Sequence, residues 1–75
     1  MKVFNPQVER FIADGKAYNY LVVMCDTFDW EDYPHYCNTE KEALDYKDAN
    51  HKINMQKCMD IINLKTREVV WGVSK

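Results

Sequence analysis

The sequence has no Cys-x-x-Cys pair, no internal repeat, no low-complexity linker and no excess of basic residues. Its longest apolar run falls far short of the ~18–20 residues that span a bilayer. Each absence removes a class of function. Ten Lys and Arg against twelve Asp and Glu leave a formal charge of −2, so the chain lacks the basic field that neutralises phosphates and is not expected to bind nucleic acid directly. The same charge is too small for a whole-surface imitation of DNA. Cys25, Cys37 and Cys58 are odd in number and widely spaced, unlike the even framework of a small secreted domain. They read as reduced, mostly buried thiols in a reducing cytosol. Pro6, Glu9 and Arg10 break up the start of the chain, which therefore has no signal-type apolar stretch. No membrane association is expected, and the location expected is the cytoplasm.

Seventy-five residues make a single domain, 1–75. A domain of this size buries about 60% of its unfolded surface, and its core supplies roughly 3–5 kcal/mol net. A deep pocket with its own supporting shell is hard to fit into it. A binding surface is easier to build.

What is present is organised around Tyr20-Leu21-Val22-Val23-Met24-Cys25, a short apolar run rich in strand-forming residues. It predicts a strand over residues 18–27. Alternation puts Tyr20, Val22 and Met24 on one face and Leu21, Val23 and Cys25 on the other, so both faces need cover. Before it, Asn5 caps a short helix with Pro6 at its first position, Val8, Phe11 and Ile12 form one stripe, and Gly15 closes the helix in a left-handed conformation. After it comes Asp26-Thr27-Phe28-Asp29-Trp30-Glu31-Asp32-Tyr33, a loop of alternating carboxylates and aromatics. Pro34 cannot donate to a ladder, so residues 33–37 form at best a short edge strand.

Thr39 and Glu42 have the spacing of a capping box and announce a helix over residues 40–50. Its apolar stripe is thin: Ala43, Leu44 and Tyr46, with Ala49 at the margin. Lys41 with Asp45 and Asp48 with Lys52 are spaced as ion pairs. Residues 50–54 connect to a strand over residues 55–64, with Met55, Lys57, Met59 and Ile61 on one side and Gln56, Cys58, Asp60 and Ile62 on the other. Residues 60–71 read as a hairpin with a short polar turn, and Gly72 marks a bulge or a fraying edge. The fold expected is α+β: a mostly antiparallel sheet of three to four strands, one main helix on a face and a short N-terminal helix.

Three chemistries compete for the acidic segment. Asp26, Asp29, Glu31, Asp32 and His35 are metal-type ligands, but a calcium loop of the helix–loop–helix kind is excluded by the missing glycine and glutamate. A zinc site from His35, Cys37, Cys25 and Cys58 would need a convergence the spacing does not predict. No metal and no cofactor is expected. His35 and Cys37 lie two apart, so on an extended segment they point the same way. No oxyanion hole or pocket accompanies them, and the chain is not expected to be an enzyme. His51 reads as a helix-end cation or a plain surface residue. The third chemistry is binding. Phe28, Trp30, Tyr33 and Tyr36 interleave with acids, and Tyr and Trp anchor interfaces because they join large rigid area to a polar tip. Phe28 or Trp30 is expected to be drawn into the core, leaving the tyrosines and carboxylates outside.

The runs 20–34 and Asn54-Met55-Gln56-Lys57-Cys58-Met59-Asp60 resemble small uncharacterised proteins carried by tailed bacteriophages. The resemblance covers about half the chain and carries over no catalytic or ligand residue. It implies a non-enzymatic phage-type binding protein, at work in the host cytoplasm, that inhibits a host defence or nucleic-acid-processing protein such as a CRISPR effector or a restriction system. Asp26, Asp29, Trp30, Glu31, Asp32, Tyr33 and Tyr36 are the expected partner-binding residues, with a basic surface of the host protein as partner. The alternatives are a module that sequesters a nucleotide signal and a small structural protein. Residues 33–37 or 69–73 are the edges through which two copies could pair as a homodimer.

Overall fold

The structure is a computed structural model that describes residues 3–73. Its elements are α1 (Pro6–Asp14), β1 (Tyr20–Asp26), β2 (Glu31–Cys37), α2 (Glu40–Asn50), β3 (Gln56–Asn63) and β4 (Val69–Gly72). The four strands form one antiparallel sheet in the order β2-β1-β3-β4. This is the α+β architecture expected, with the apolar run as an inner strand. β2 and β3 run parallel to each other with β1 between them, and α2 carries the chain across. No helix among the described residues is long and apolar enough to cross a membrane.

Both faces of β1 are covered, which explains why its residues are buried from Leu21 to Cys25. On one face, Val22, Met24, Cys37, Cys58 and Ile61 pack with Ala43 of α2, and Tyr20, Tyr33, Leu44, Tyr46, Val70 and Trp71 close the rim. On the other, Leu21, Val23 and Ile62 pack with Val8 of α1, flanked by Phe4, Phe11, Ile12, Tyr36, Met59 and Leu64. Two turns of helix are unstable alone, so α1 persists because its stripe docks there.

The caps follow the sequence. Asn5 accepts the Val8 N–H at 2.9 Å, and Thr39 and Glu42 close a reciprocal capping box. Lys41 pairs with Asp45 at 2.7 Å. Asp48 instead pairs with Lys47, because Lys52 lies beyond the end of α2 with φ 61° and is out of helical register. Gly15 has φ −96°, so it is not the left-handed closure expected. A Cβ there would meet Tyr36 Cε1 at 2.3 Å; the position is glycine because an aromatic ring rests on its backbone.

The alternation expected along β3 breaks once. Val23 pairs with Asp60 but Met24 pairs with Cys58, so Met59 is an extra residue in a bulge. The bulge turns Cys58 and Ile61 to the α2 face together and leaves Met59 and Ile62 on the α1 face. A second irregularity lies on β4 between the partners of Ile61 and Ile62. Gly72 is paired opposite Asp60, where a Cβ would approach the Asp60 carboxylate at 2.7 Å.

The β3–β4 turn is held by Asn63. Its Oδ1 accepts the N–H groups of Lys65 and Thr66, and its carbonyl accepts the Arg67 N–H at 2.7 Å. Arg67 takes φ 65° and reaches Glu9 of α1 at 2.5 Å, with its guanidinium over the Phe4 ring.

Candidate functional site

The β1–β2 connection is shorter than the acidic-aromatic loop expected. Only residues 27–30 lie between the strands; Glu31, Asp32 and Tyr33 belong to β2. An edge strand tolerates charges and a proline because half of its backbone faces water. The segment therefore splits. Glu31 stands opposite Asp26 and Asp32 opposite Cys25, so the two acids point to opposite faces of the sheet.

Asp26 builds the tip. Its Oδ1 accepts the Phe28 N–H at 2.8 Å, its contact with the Asp29 N–H is longer at 3.4 Å, and its carbonyl accepts the Trp30 N–H at 2.6 Å. This turn places Trp30 at φ 59°, a left-handed conformation costing a bulky residue roughly 1–2 kcal/mol. Trp30 and Phe28 are not in the core, as one of them was expected to be. They are 70% and 71% exposed, on a four-residue tip that lies beyond the last strand pair, Asp26 with Glu31. The Lys57 ammonium lies 5.4 Å from the Trp30 ring centroid.

Asp26, Asp29, Glu31 and Asp32 take part in none of the ion pairs among the described residues. Asp26 and Glu31 are moreover directly cross-strand, an arrangement of like charges that weakens a hairpin. Asp32 faces the Cys25 thiol, whose pKa is pushed up by burial first and by this carboxylate second.

Tyr33 and Tyr36 are placed differently from the tip. The Tyr33 hydroxyl is hydrogen-bonded to Gln56 Oε1, and burial followed by the neighbouring Tyr46 raises its pKa. Tyr36 lies at the far end of β2, opposite Leu21. Its hydroxyl donates to the Phe11 carbonyl at 2.7 Å and its ring stacks on Tyr18 at 5.2 Å. It locks α1 to the sheet and is distant in register from Asp26–Glu31, so the structure does not gather it into the same surface.

A second loop, missed in the sequence, shares this end of the sheet. The Met55 carbonyl accepts the Thr27 N–H at 2.8 Å, which joins residues 51–55 to the tip. Met55 is 59% exposed and Ile53 43%. Lys52, Asn54 and Met55 are all left-handed, and the loop holds this shape through polar contacts. Gln56 Nε2 donates to Asn50 Oδ1 at 2.9 Å and the Cys58 N–H donates to His51 Nδ1 at 3.0 Å. The only sequence signal was an isolated pair of apolar residues in an otherwise polar connection without glycine.

His51 is not a helix-end cation. Accepting a backbone N–H at Nδ1 requires a neutral ring, and burial followed by Lys52, Lys47 and Lys57 lowers its pKa. His35 stacks on Tyr46 at 3.6 Å, and burial lowers its pKa too. Cys37 is pushed up by burial and by Glu42, and Cys58 to about 12 by burial and Asp60. These shifts favour a neutral imidazole and protonated thiols. No group of three or more His, Cys, Asp or Glu among the described residues is placed to hold a metal ion.

No family model, curated protein or solved structure matches the chain.

Proposed function

We propose that the protein is a non-enzymatic binding protein of the phage accessory type, and that it inhibits a host defence or nucleic-acid-processing protein by occluding a basic surface. One observation carries this reading: the hairpin tip holds Phe28 and Trp30 in water beside carboxylates that take part in none of the described ion pairs. Asp26 shapes the turn, but folding gives no reason for two exposed aromatics to stand beside Asp29 and Glu31. Exposed aromatics supply anchor area, and unneutralised acids raise the association rate with a cationic partner. The carboxylates would fill a groove made for phosphate and an aromatic would anchor beside it.

The test is capture from a bacterial lysate with the wild-type chain and with the double variant Glu31→Lys, Asp32→Lys. A partner held by the wild type, lost by the variant and unable to engage its nucleic acid once held supports the proposal. Equal retention by the variant overturns it.

A nucleotide-sequestering module is the second reading, and it has its own observation. The Lys47 ammonium lies 5.0 Å from the Trp71 ring centroid, and His51 packs edge-on to the same ring at 5.2 Å. A cation and a neutral imidazole beside one aromatic ring suit a nucleotide's phosphate and base. Thermal stabilisation by a cyclic nucleotide, abolished by Trp71→Leu, would favour this reading.

A further inference from the structure

The loop at residues 51–55 leaves its apolar side chains in water between inward-facing polar anchors. The polar groups that bracket it point inward: His51 Nδ1 takes the Cys58 N–H, Asn50 at the end of α2 takes the Gln56 amide, and Gln56 at the start of β3 takes the Tyr33 hydroxyl, while Lys52 and Asn54 are exposed. Its apolar side chains, Ile53 and Met55, point to water. Hydrophobic burial favours the reverse arrangement. The backbone also adopts left-handed conformations at Lys52 and Met55 without glycine, and such conformations persist only where surrounding contacts enforce them.

The hydrogen bond from Thr27 to Met55 brings this loop against the hairpin tip. Four large apolar side chains, Phe28, Trp30, Ile53 and Met55, are thus exposed on two adjoining loops at one end of the sheet. Asp26, Asp29, Glu31 and Asp32 lie on the hairpin side, while Lys52 and Lys57 are the basic residues nearest in sequence on the other. Aromatics and methionine are the residue types enriched at interface centres, and a methionine adapts to irregular partner surfaces.

We infer that residues 51–55 form the second half of the docking surface, and that its occupant is a cationic, amphipathic protein segment. The segment's apolar side chains seat between Trp30 and Met55, and its cations meet the hairpin carboxylates. This rests on the proposed inhibitor reading and deepens it by naming both the missing half of the surface and the chemistry of the partner. Charge complementarity selects the occupant. The patch has four carboxylates on one side against two lysines on the other, so its net negative charge repels an anionic membrane surface and favours a basic peptide.

The probe is a synthetic helical peptide of leucine and lysine, added to the isotope-labelled full chain and followed by amide and indole NMR shifts. The inference expects shifts at residues 27–32 and 52–57 and at the Trp30 indole. Met55→Ser and Ile53→Ser each weaken binding by at least about tenfold; both residues are exposed, and unchanged thermal midpoints confirm that the fold is kept. A leucine–serine control peptide of the same length binds at least about tenfold more weakly. If the serine variants bind as wild type while the Glu31→Lys, Asp32→Lys variant does not, the second loop is excluded and the inhibitor reading stands. Equal binding by all variants overturns both. No binding of the peptide, stronger binding to lipid vesicles, or shifts that grow with protein concentration alone would each overturn the stated occupant, the last in favour of a second copy of the chain.

Discussion

Trp30 and Arg67 occupy the same place in two turns of one design. In each, an Asx side chain at the start accepts two backbone N–H groups, and its carbonyl accepts the N–H of a bulky residue held left-handed. Arg67 uses the position to reach Glu9 and Phe4 and tie the β3–β4 turn to α1. Trp30 uses it to present its ring to water.

Glycine substitution separates the two uses. Trp30→Gly relieves a left-handed strain of roughly 1–2 kcal/mol and adds about 0.5–1 kcal/mol of unfolded-state entropy, so stability should hold within about 1 kcal/mol while partner binding is lost. Arg67→Gly relieves the same strain but cuts the tie to α1, and it should be destabilising. Urea denaturation of both variants checks the contrast. A Trp30→Gly protein markedly less stable than Arg67→Gly would show that the indole is structural.

Gly15→Ala drives a methyl group into the Tyr36 ring, whose hydroxyl is anchored on the Phe11 carbonyl. It should cost about 1–3 kcal/mol. Tyr36→Phe keeps the ring and loses the hydrogen bond, at about 0.5–1.5 kcal/mol. Thermal melts measure both, and Tyr36→Phe should leave partner affinity unchanged.

Stability should fall as pH drops below about 6.5, the ordinary histidine value. His51 and His35 both have lowered folded-state values, so the unfolded chain takes up protons first and protonation favours unfolding. The contribution is complete above that pH and is lost as pH falls through the folded-state values. Glu9, lowered by its hydrogen bond to Arg67, adds a further loss in the carboxylate range. His51→Gln has an amide oxygen that can accept the Cys58 N–H without titrating, and it should flatten the first phase in a series of melts from pH 8 to pH 5.

The three cysteines should resist alkylation at pH 8 in the folded protein. All are buried, and each thiol is pushed above its ordinary value, Cys58 to about 12. Reaction depends on thiolate and access. Mass spectrometry with iodoacetamide should record labelling only after denaturant is added; rapid native labelling at Cys37 would mean a reactive thiol beside His35.

The features legible in the sequence were those set by local chemistry. Asn5-Pro6 and Thr39 with Glu42 announce helix starts, because caps act within one turn. The run 20–25 announces an inner strand, because apolarity on both faces demands cover on both sides. Features set by a distant partner were not legible. The Met59 bulge depends on how β3 meets β1. Tyr36 is a fastener because α1 happens to lie over it. Glu31 and Asp32 enter a strand because β2 is an edge. The acidic tip was found through its charges, whereas the loop bearing Met55 was not, since a half-polar connection looks the same whether its apolar residues face in or out.

The place of β1 between β2 and β3 has a consequence for the chain as it leaves the ribosome. The β1–β2 hairpin closes over a short turn, but the other flank of β1 stays unpaired until α2 has been made and β3 has followed it. Until then the growing polypeptide carries its most apolar strand with one open side. Holding chaperones should therefore be released only once residues 56–63 have cleared the exit tunnel.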